Sequence, residues 1–259
     1  MPSCPLNQAR SLRELTASPD YFARVNEIAL QMESASDLAG LVELLHEATA
    51  RLGADVAAFL SFVRDGESWQ SFRFVLACDP QWFVDYEQRG WYADDPWLAY
   101  ARKHSEPIRT GDLRLTDDKQ QALAQLAEQY GFRAALLVPV PSGSGLTRLG
   151  LLCLGSKTEG YFDDDGFAAL RMAARPVAIA LHDWWVVEGR KELIEASNIS
   201  PEDLALLEHE RQGHRTKEIA SAMGVSVASV NSRYQRLLVK LGAANRKDAA
   251  RLAAEYRLI

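Results

Sequence analysis

The stretch "ASVNSRYQRLLVKLGAANR", residues 228–246, has the two-sided pattern of a surface helix. Its apolar residues recur at helical spacing and form one stripe that we expect to be buried: Val230, Tyr234, Leu237, Leu238 and Leu241. Polar and basic residues occupy the opposite side: Ser229, Ser232, Arg233, Arg236 and Lys240. This basic face is either an ordinary solvated surface or a surface that contacts an anion.

The charge of the chain is unevenly distributed. The net charge is −6, but residues 199–259 contain ten Lys or Arg and seven Asp or Glu. That segment therefore carries +3, and the remainder carries −9. A basic module joined to an acidic one favours contact between the module and an anion, although many inert surfaces carry a charge of this size.

The residues that precede the quoted stretch predict two further helices. Ser200 followed by Pro201 is a helix start, and Thr216 is predicted to cap a second, short helix. Gly224 permits a tight turn, after which Ser226 caps the third helix. A short helix, a glycine turn and a longer helix with a basic face have the geometry of a helix-turn-helix, whose second helix fits the major groove of DNA.

We expect the DNA contacts to come from the start of the short helix and from the outer face of the long one. Side chains near helix N-termini reach phosphates and base edges, and basic side chains neutralise phosphates. The predicted contact residues are Thr216, Lys217, Ser226, Ser229, Ser232, Arg233, Arg236 and Lys240.

The last sixty residues resemble the LuxR-type helix-turn-helix family. The positions that match its pattern are Gly213, Glu218-Ile219-Ala220, Gly224, Ser226, Val230, Lys240-Leu241 and Asn245-Arg246. The resemblance implies a small all-α, four-helix domain that binds a two-fold DNA site as a dimer, with its last helix, about residues 247–256, contributing to dimerisation. Glu202-Asp203 replaces the family's Arg-Glu pair, and Arg233 replaces a frequent His, which suggests a different operator sequence.

The first 190 residues alternate between helical and strand patterns. Apolar spacing predicts helices over residues 37–53, 118–130 and 163–185, with a kink at Pro176, and strands over 54–63 and 71–76. Two apolar runs, "AALLVPVP" and "RLGLLCLGS", predict a hairpin joined by "SGSGLT". The sum is an α+β domain, an α-β-α sandwich. We predict a sensor domain over 1–187, a polar linker over 188–198 and a DNA-binding domain over 199–259.

A second resemblance lies within the predicted sensor domain. Trp82, Tyr86 and Asp95-Pro96 have the W-x3-Y-x8-D-P spacing of the autoinducer-binding domain of LuxR-type quorum-sensing receptors. The resemblance implies that the Trp indole donates to a lactone carbonyl, that the Tyr hydroxyl donates to an acyl amide carbonyl, and that the Asp accepts from the amide N–H. Trp97 and neighbouring aromatic residues would supply apolar walls. In isolation, Trp and Tyr one helical turn apart are more often core residues than pocket residues.

The chain also departs from that family's pattern. Thr110 stands where the family has a Trp that walls the lactone ring, Ala135 replaces a Gly, and Cys153 aligns with a strand position that often carries Ser or Thr. We include Thr110 and Cys153 among the predicted ligand-binding residues. These departures suggest an altered head-group site, so that an acyl-homoserine lactone is the leading signal and a related amphipathic molecule is an alternative.

Other classes of protein receive little support from the sequence. Apolar runs such as 134–141 are too short to span a bilayer, "MPSCPLNQARSL" is not a secretory signal, and the three cysteines form neither a disulfide nor a metal pattern. No phosphate-binding glycine loop is present, and His46, His104, His182 and the acidic run 163–165 have no catalytic spacing. We therefore expect a cytoplasmic regulator that is not an enzyme and requires no cofactor or metal.

The expected partners are double-stranded DNA, a second copy of the chain, a small-molecule signal and RNA polymerase. The sequence leaves one alternative open. The protein could be a ligand-independent LuxR-type regulator, or an anti-activator that acts through heterodimers, and the departures at Thr110 and Ala135 favour this alternative.

Overall fold

The computed structural model describes residues 11–65, 68–141 and 148–259, which form two compact units. The first unit extends to Trp184, and the second runs from Trp185 to Ile259. Parts of the predicted turn over 65–69 and of the predicted hairpin loop, residues 66–67 and 142–147, lie outside the described residues. Within the described ranges, no helix combines the length and apolar character needed to cross a bilayer.

Seven helices and five strands precede residue 198 in the described chain. The helices are α1 (Leu12–Thr16), α2 (Tyr21–Glu33), α3 (Leu38–Leu52), α4 (Gln81–Gln88), α5 (Pro96–Ala101), α6 (Asp118–Gln129) and α7 (Phe167–Ser197). The strands are β1 (Val56–Asp65), β2 (Ser68–Ala77), β3 (Ile108–Arg109), β4 (Ala134–Val140) and β5 (Arg148–Ser156). Short 3-10 turns cover Trp91–Ala93, Thr110–Asp112 and Tyr161–Asp163.

The five strands form one antiparallel sheet in the order β2-β1-β5-β4-β3. Successive residues of β5 face opposite sides, and both sets are buried: Leu151 and Cys153 on one side, and Leu152 and Leu154 on the other. Helix α3 packs against β1 and β2, while α5 packs against β4 and β5. The predicted α+β class, with a sheet between helices, is confirmed.

Local signals set several of the element boundaries. Asp37 caps α3 by accepting from the Gly40 amide at 2.9 Å, and Gly53 ends that helix in the left-handed conformation at φ 84°. Helix α7 is longer than the pattern predicts, since it continues through Pro176 to Ser197. Most of the predicted linker, residues 188–198, is therefore helical, and its function as a linker stays a prediction.

The second unit contains four helices that follow α7: α8 (Pro201–Arg211), α9 (Thr216–Ala222), α10 (Val227–Leu241) and α11 (Arg246–Glu255). The predicted apolar stripe of α10 is confirmed, because Val230, Tyr234, Leu237 and Leu241 are all buried, with Leu238 packed beside them. Ser200 and Ser226 cap α8 and α10 as predicted, by accepting hydrogen bonds from main-chain amides.

The prediction that Thr216 caps α9 is wrong by one residue. Arg215 is the extended residue before the helix (ψ 154°), and its N–H donates to Glu218 at 2.6 Å. Thr216 is already helical, so its hydroxyl is available to accept from the Arg246 guanidinium at 3.2 Å.

Arg246, at the start of α11, links three helices of the second unit. Its guanidinium donates to the Thr216 hydroxyl of α9. It also contacts two residues of α10: it donates to the Asn231 side-chain oxygen at 2.7 Å and lies 4.0 Å from the centre of the Tyr234 ring. These contacts fix the relative positions of α9, α10 and α11, and so the orientation of the helix-turn-helix.

We predict that Arg246→Ala weakens this domain locally. Loss of charged hydrogen bonds and of the ring contact costs about 1–2 kcal/mol, which corresponds to roughly tenfold faster amide exchange in α9 and α11. Hydrogen exchange of the full chain measures this effect, and Lys247→Ala, at the exposed neighbouring position, is the matched control. Equal exchange rates in the two variants would show that Arg246 does not hold the helices together.

Candidate functional site

A cavity in the first unit lies between the sheet and helices α4 and α5. Five of the six predicted ligand-binding residues line it: Trp82, Tyr86, Asp95, Trp97 and Cys153. The rest of its lining is aliphatic or aromatic and comes from β1, β2, β5, α4 and α5. The five predicted residues that line the cavity are separated by up to 71 positions in the chain.

Asp95 is the only charged residue that lines this cavity among the described residues, and it is 5% exposed. One carboxylate oxygen caps α5 by accepting from the amides of Trp97 at 2.7 Å and Leu98 at 3.3 Å. The other accepts from the Tyr86 hydroxyl at 2.7 Å. The spacing W-x3-Y-x8-D-P therefore places Tyr86 and Asp95 in direct contact.

Burial dominates the ionisation of this pair. It raises the pKa of Asp95 to about 6, even though the hydrogen bonds from Tyr86, Trp97 and Leu98 each lower it. Burial and the neighbouring carboxylate raise the pKa of the Tyr86 hydroxyl, so that this group remains a neutral donor. The Asp95 carboxylate can still accept from another N–H or O–H, because a carboxylate has about four lone-pair sites.

Aromatic rings fill much of the space beside the carboxylate. The Trp82 ring lies 5.7 Å from Tyr86 and 6.4 Å from Trp97, measured between ring centres, and Phe74 stacks on Phe83 at 3.6 Å. The cavity volume is about 20 Å³, close to the minimum needed for one water molecule. A ligand with an alkyl chain must therefore displace some of these side chains.

Thr110 is the sixth predicted ligand residue, and it is not part of the cavity lining. It follows β3, and its hydroxyl accepts from the Ala135 amide of β4 at 3.0 Å. Conversely, Leu60, Phe74 and Leu76 line the cavity but were not predicted as ligand residues. The alternation of strand residues indicated which of these side chains share a face, but not that this face adjoins the site.

Cys153 is buried in the cavity wall, and burial raises the pKa of its thiol well above the ordinary value. Cys78 packs against the buried residues around the cavity, and burial raises the pKa of its thiol to about 12. Both sulfurs are therefore neutral, apolar contacts and not reactive thiolates.

The predicted DNA-contact residues of the second unit fall into two groups. Most lie on an exposed surface formed by the N-terminus of α9 and the outer side of α10, which we call the α9–α10 face: Lys217, Ser226, Ser229, Ser232, Arg233 and Arg236. On this face the Ser226 hydroxyl accepts from the Ser229 amide at 3.0 Å, and Arg236 donates to the Ser232 hydroxyl at 3.1 Å. Arg233 is half-buried. Hydrogen bonds to the Glu202 carboxylate lower the pKa of that group, and the charge of Arg233 lowers it further by a smaller amount.

The second group, Thr216 and Lys240, makes contacts within the domain. Thr216 accepts from Arg246, as described above. The Lys240 ammonium donates to the Asp203 carboxylate at 2.7 Å and to the Asn198 carbonyl at 2.9 Å. Burial alone would raise the pKa of Asp203, but the bonds from Lys240 and Ser200 outweigh it and the net shift is downward. Lys240 thus neutralises a buried acid of α8.

Two family models match this chain. Residues 37–184 match the autoinducer binding domain, and residues 197–253 match the bacterial regulatory proteins of the luxR family. The first match alone covers more than half of the chain. Curated protein sequences give no match.

Solved structures share the fold at low sequence identity. SdiA in complex with octanoyl-rac-glycerol is 17% identical, with a TM-score of 0.63, over 92% of this chain and 96% of SdiA. A crystal structure of Escherichia coli SdiA is also 17% identical, with a TM-score of 0.69, over 93% of this chain and 99% of that chain. The N-acylhomoserine lactone dependent LuxR family factor CepR2 of Burkholderia cenocepacia is 17% identical, with a TM-score of 0.53, over 63% of this chain and 95% of CepR2. The chain therefore belongs to the LuxR-type transcriptional regulators, ligand-responsive DNA-binding proteins that are not enzymes.

Proposed function

We propose that this protein binds an amphipathic small-molecule signal in the cavity beside Asp95 and, as a homodimer, binds a two-fold operator through the α9–α10 face. The observation that carries the proposal is the buried Tyr86–Asp95 pair, 2.7 Å apart, beside Trp82 in an otherwise apolar cavity. We assign sensing to residues 1–187, the linker to 188–198 and DNA binding to 199–259. The protein would act in the cytoplasm, with double-stranded DNA and RNA polymerase as its partners.

The polar groups of the cavity define the head group of the signal. Asp95 can accept from one more donor, an amide N–H or a hydroxyl, while the Trp82 indole can donate to a carbonyl. An acyl-homoserine lactone satisfies both requirements. A monoacylglycerol also does so, through its hydroxyl and ester groups, and the structural neighbour SdiA has been solved with octanoyl-rac-glycerol. Thr110 does not line the cavity and its hydroxyl is bonded to Ala135, so we leave it out of the head-group contacts that we propose.

Signal binding and folding are coupled in this proposal. Since the cavity holds only about 20 Å³, an alkyl chain enters by displacing aromatic side chains and then completes the core around itself. A ligand at about 100 times its dissociation constant stabilises the folded state by roughly 2.7 kcal/mol. The bound signal would thereby stabilise the dimer that presents two α9–α10 faces to DNA.

For DNA, we propose fewer contact residues than we predicted from the sequence. Lys217 and Arg236 are exposed basic side chains of the α9–α10 face, and Arg233, Ser229 and Ser232 lie beside them. Ser226 places the N-terminus of α10, where main-chain amides favour a phosphate. We leave out Thr216 and Lys240, because each is bonded to a side chain of another helix, whereas Arg236 is bonded within α10.

Two observations support the alternative of a ligand-independent regulator or anti-activator. The cavity is small, and both oxygens of Asp95 already accept hydrogen bonds within the protein. Under this alternative the aromatic cluster is simply the core of the domain, and no signal changes its stability.

We predict that N-octanoyl-homoserine lactone raises the melting temperature of the full-length protein and that Asp95→Asn abolishes the rise. Asn remains a good helix cap, so the fold is retained, but its amide no longer attracts the signal's N–H as a carboxylate does. Differential scanning fluorimetry gives the shift, with Asp94→Asn, at the exposed adjacent residue, as the control that keeps it. If neither the lactone nor 1-octanoyl glycerol stabilises the wild type, the ligand-independent alternative is favoured.

The affinity for the lactone should depend on pH through Asp95. The group ionises with a pKa of about 6 in the free protein, and the ionised form binds the signal's N–H best. At pH 5 about one molecule in eleven is ionised, so the dissociation constant should be roughly tenfold higher than at pH 7.5. Titration calorimetry at both values tests this. The Asp95→Asn protein should show no such change in whatever affinity it retains, and an unchanged constant in the wild type would contradict the assigned hydrogen bond.

The DNA proposal predicts distinct effects along the α9–α10 face. Arg236→Ala and Arg233→Ala should each weaken binding to a selected operator by about 1–3 kcal/mol and relax its sequence preference, whereas Lys217→Ala should weaken binding to all duplexes alike. Fluorescence anisotropy with operator and random duplexes separates these outcomes. Arg211→Ala is the control, because it removes the same charge from α8, where Arg211 pairs with Glu208. Equal binding by all four variants would mean that another surface contacts DNA.

A further inference from the structure

The turn between α8 and α9 brings two imidazole rings together. His209 lies in the last turn of α8 and His214 follows that helix, and their Nδ1 atoms are 2.9 Å apart. The main chain fixes this approach: Gly213 is left-handed at φ 77°, and the His214 amide donates to the His209 carbonyl at 3.0 Å. Neither imidazole belongs to the cavity or to the α9–α10 face.

We propose that His209 and His214 form a two-imidazole chelate for a divalent transition-metal cation that favours a square or octahedral arrangement, Ni²⁺ or Cu²⁺. Imidazole nitrogen is a preferred ligand for these cations. The described residues contain no group of three or more metal-ligating side chains, so water molecules would complete the coordination.

The separation of the nitrogens in the metal-free pair suits a cation whose ligands lie at right angles. With metal–nitrogen bonds of about 2.05 Å, two nitrogens 2.9 Å apart subtend about 90° at the metal. That is the angle between neighbouring ligands of a square-planar or octahedral site, as Cu²⁺ and Ni²⁺ prefer. A tetrahedral Zn²⁺ site needs nitrogens about 3.3 Å apart, so Zn²⁺ would have to push the rings away from each other.

The C-terminal end of α8 favours a cation beside the pair. Helix α8 ends at these residues, and the carbonyl end of a helix carries partial negative charge. The neighbouring cation Arg211 is 3.9 Å from Glu208 and is partly neutralised by it. With both rings neutral, one Nδ1 donates to the other. The donor ring therefore moves its proton to Nε2 when both Nδ1 lone pairs turn to the metal, and no net proton is released.

A bound cation would change the charge at the start of α9. His214 is followed directly by Arg215, Thr216 and Lys217, the residues with which α9 begins. A cation held by the two imidazoles adds positive charge next to the N-terminal end of this helix. The metal site does not depend on the proposed signal or operator, and it can be tested without either.

The test is calorimetric titration of the untagged full-length protein with NiCl₂ at pH 7.5. We expect binding that falls about tenfold or more in affinity in His209→Gln and in His214→Gln, because each variant turns a two-point attachment into a single one. ZnCl₂ should bind more weakly than NiCl₂. The matched control is His104→Gln, which removes an exposed imidazole of the first unit and should bind as the wild type does.

Circular dichroism melts establish that the variants are folded, and His214→Gln, at an exposed position after the helix, is the one expected to perturb folding least. A Ni²⁺ isotherm that is the same in wild type and His214→Gln would overturn the proposal. So would a loss of binding in His104→Gln equal to the loss in His214→Gln, or Zn²⁺ binding tighter than Ni²⁺ binding.

Discussion

The buried carboxylate of Asp95 is the interaction on which the sensing half of the molecule depends. One oxygen begins α5, and the other holds Tyr86 of α4, so a single group sets the spacing of the two helices that cover the cavity. Removing a carboxylate from water is costly. Three hydrogen-bond donors offset only part of that cost, and the pKa of Asp95 therefore still rises to about 6. The site therefore retains a capacity to accept one more hydrogen bond.

Such a carboxylate links stability to recognition. Folding without a signal leaves an acid that is less well solvated than in water, surrounded by rings that leave about 20 Å³ free. A signal that donates to Asp95 and fills the apolar space satisfies both requirements at once. In the proposed function, the same residues that pack as a core without a signal enclose the ligand, so a core interpretation and a pocket interpretation of Trp82 and Tyr86 both fit the sequence.

Local sequence signals predicted the elements that local physics controls. Helix caps at Ser200 and Ser226, the turn glycines and the apolar stripe of α10 depend on neighbours within one or two turns, and the structure has them where the patterns place them. The three side chains of the W-x3-Y-x8-D-P spacing lie together for the same reason, since one helical turn and one helix start place them. Thr110 could not be predicted in this way, because its partner Ala135 lies 25 residues away on another strand.

The basic stretch shows why charge alone identifies a DNA surface poorly. Of its four cations, Lys240 pairs with an acid 37 residues away, and Arg246 bonds to Thr216, 30 residues away. Nothing in the composition of residues 228–246 distinguishes these two from Arg233 and Arg236, because the distinction depends on which helix packs beside each side chain. Lys240 and Arg246 therefore support the fold, whereas Arg233 and Arg236 are the cations that we propose for the duplex. A basic face is therefore best assigned after its internal ion pairs have been subtracted.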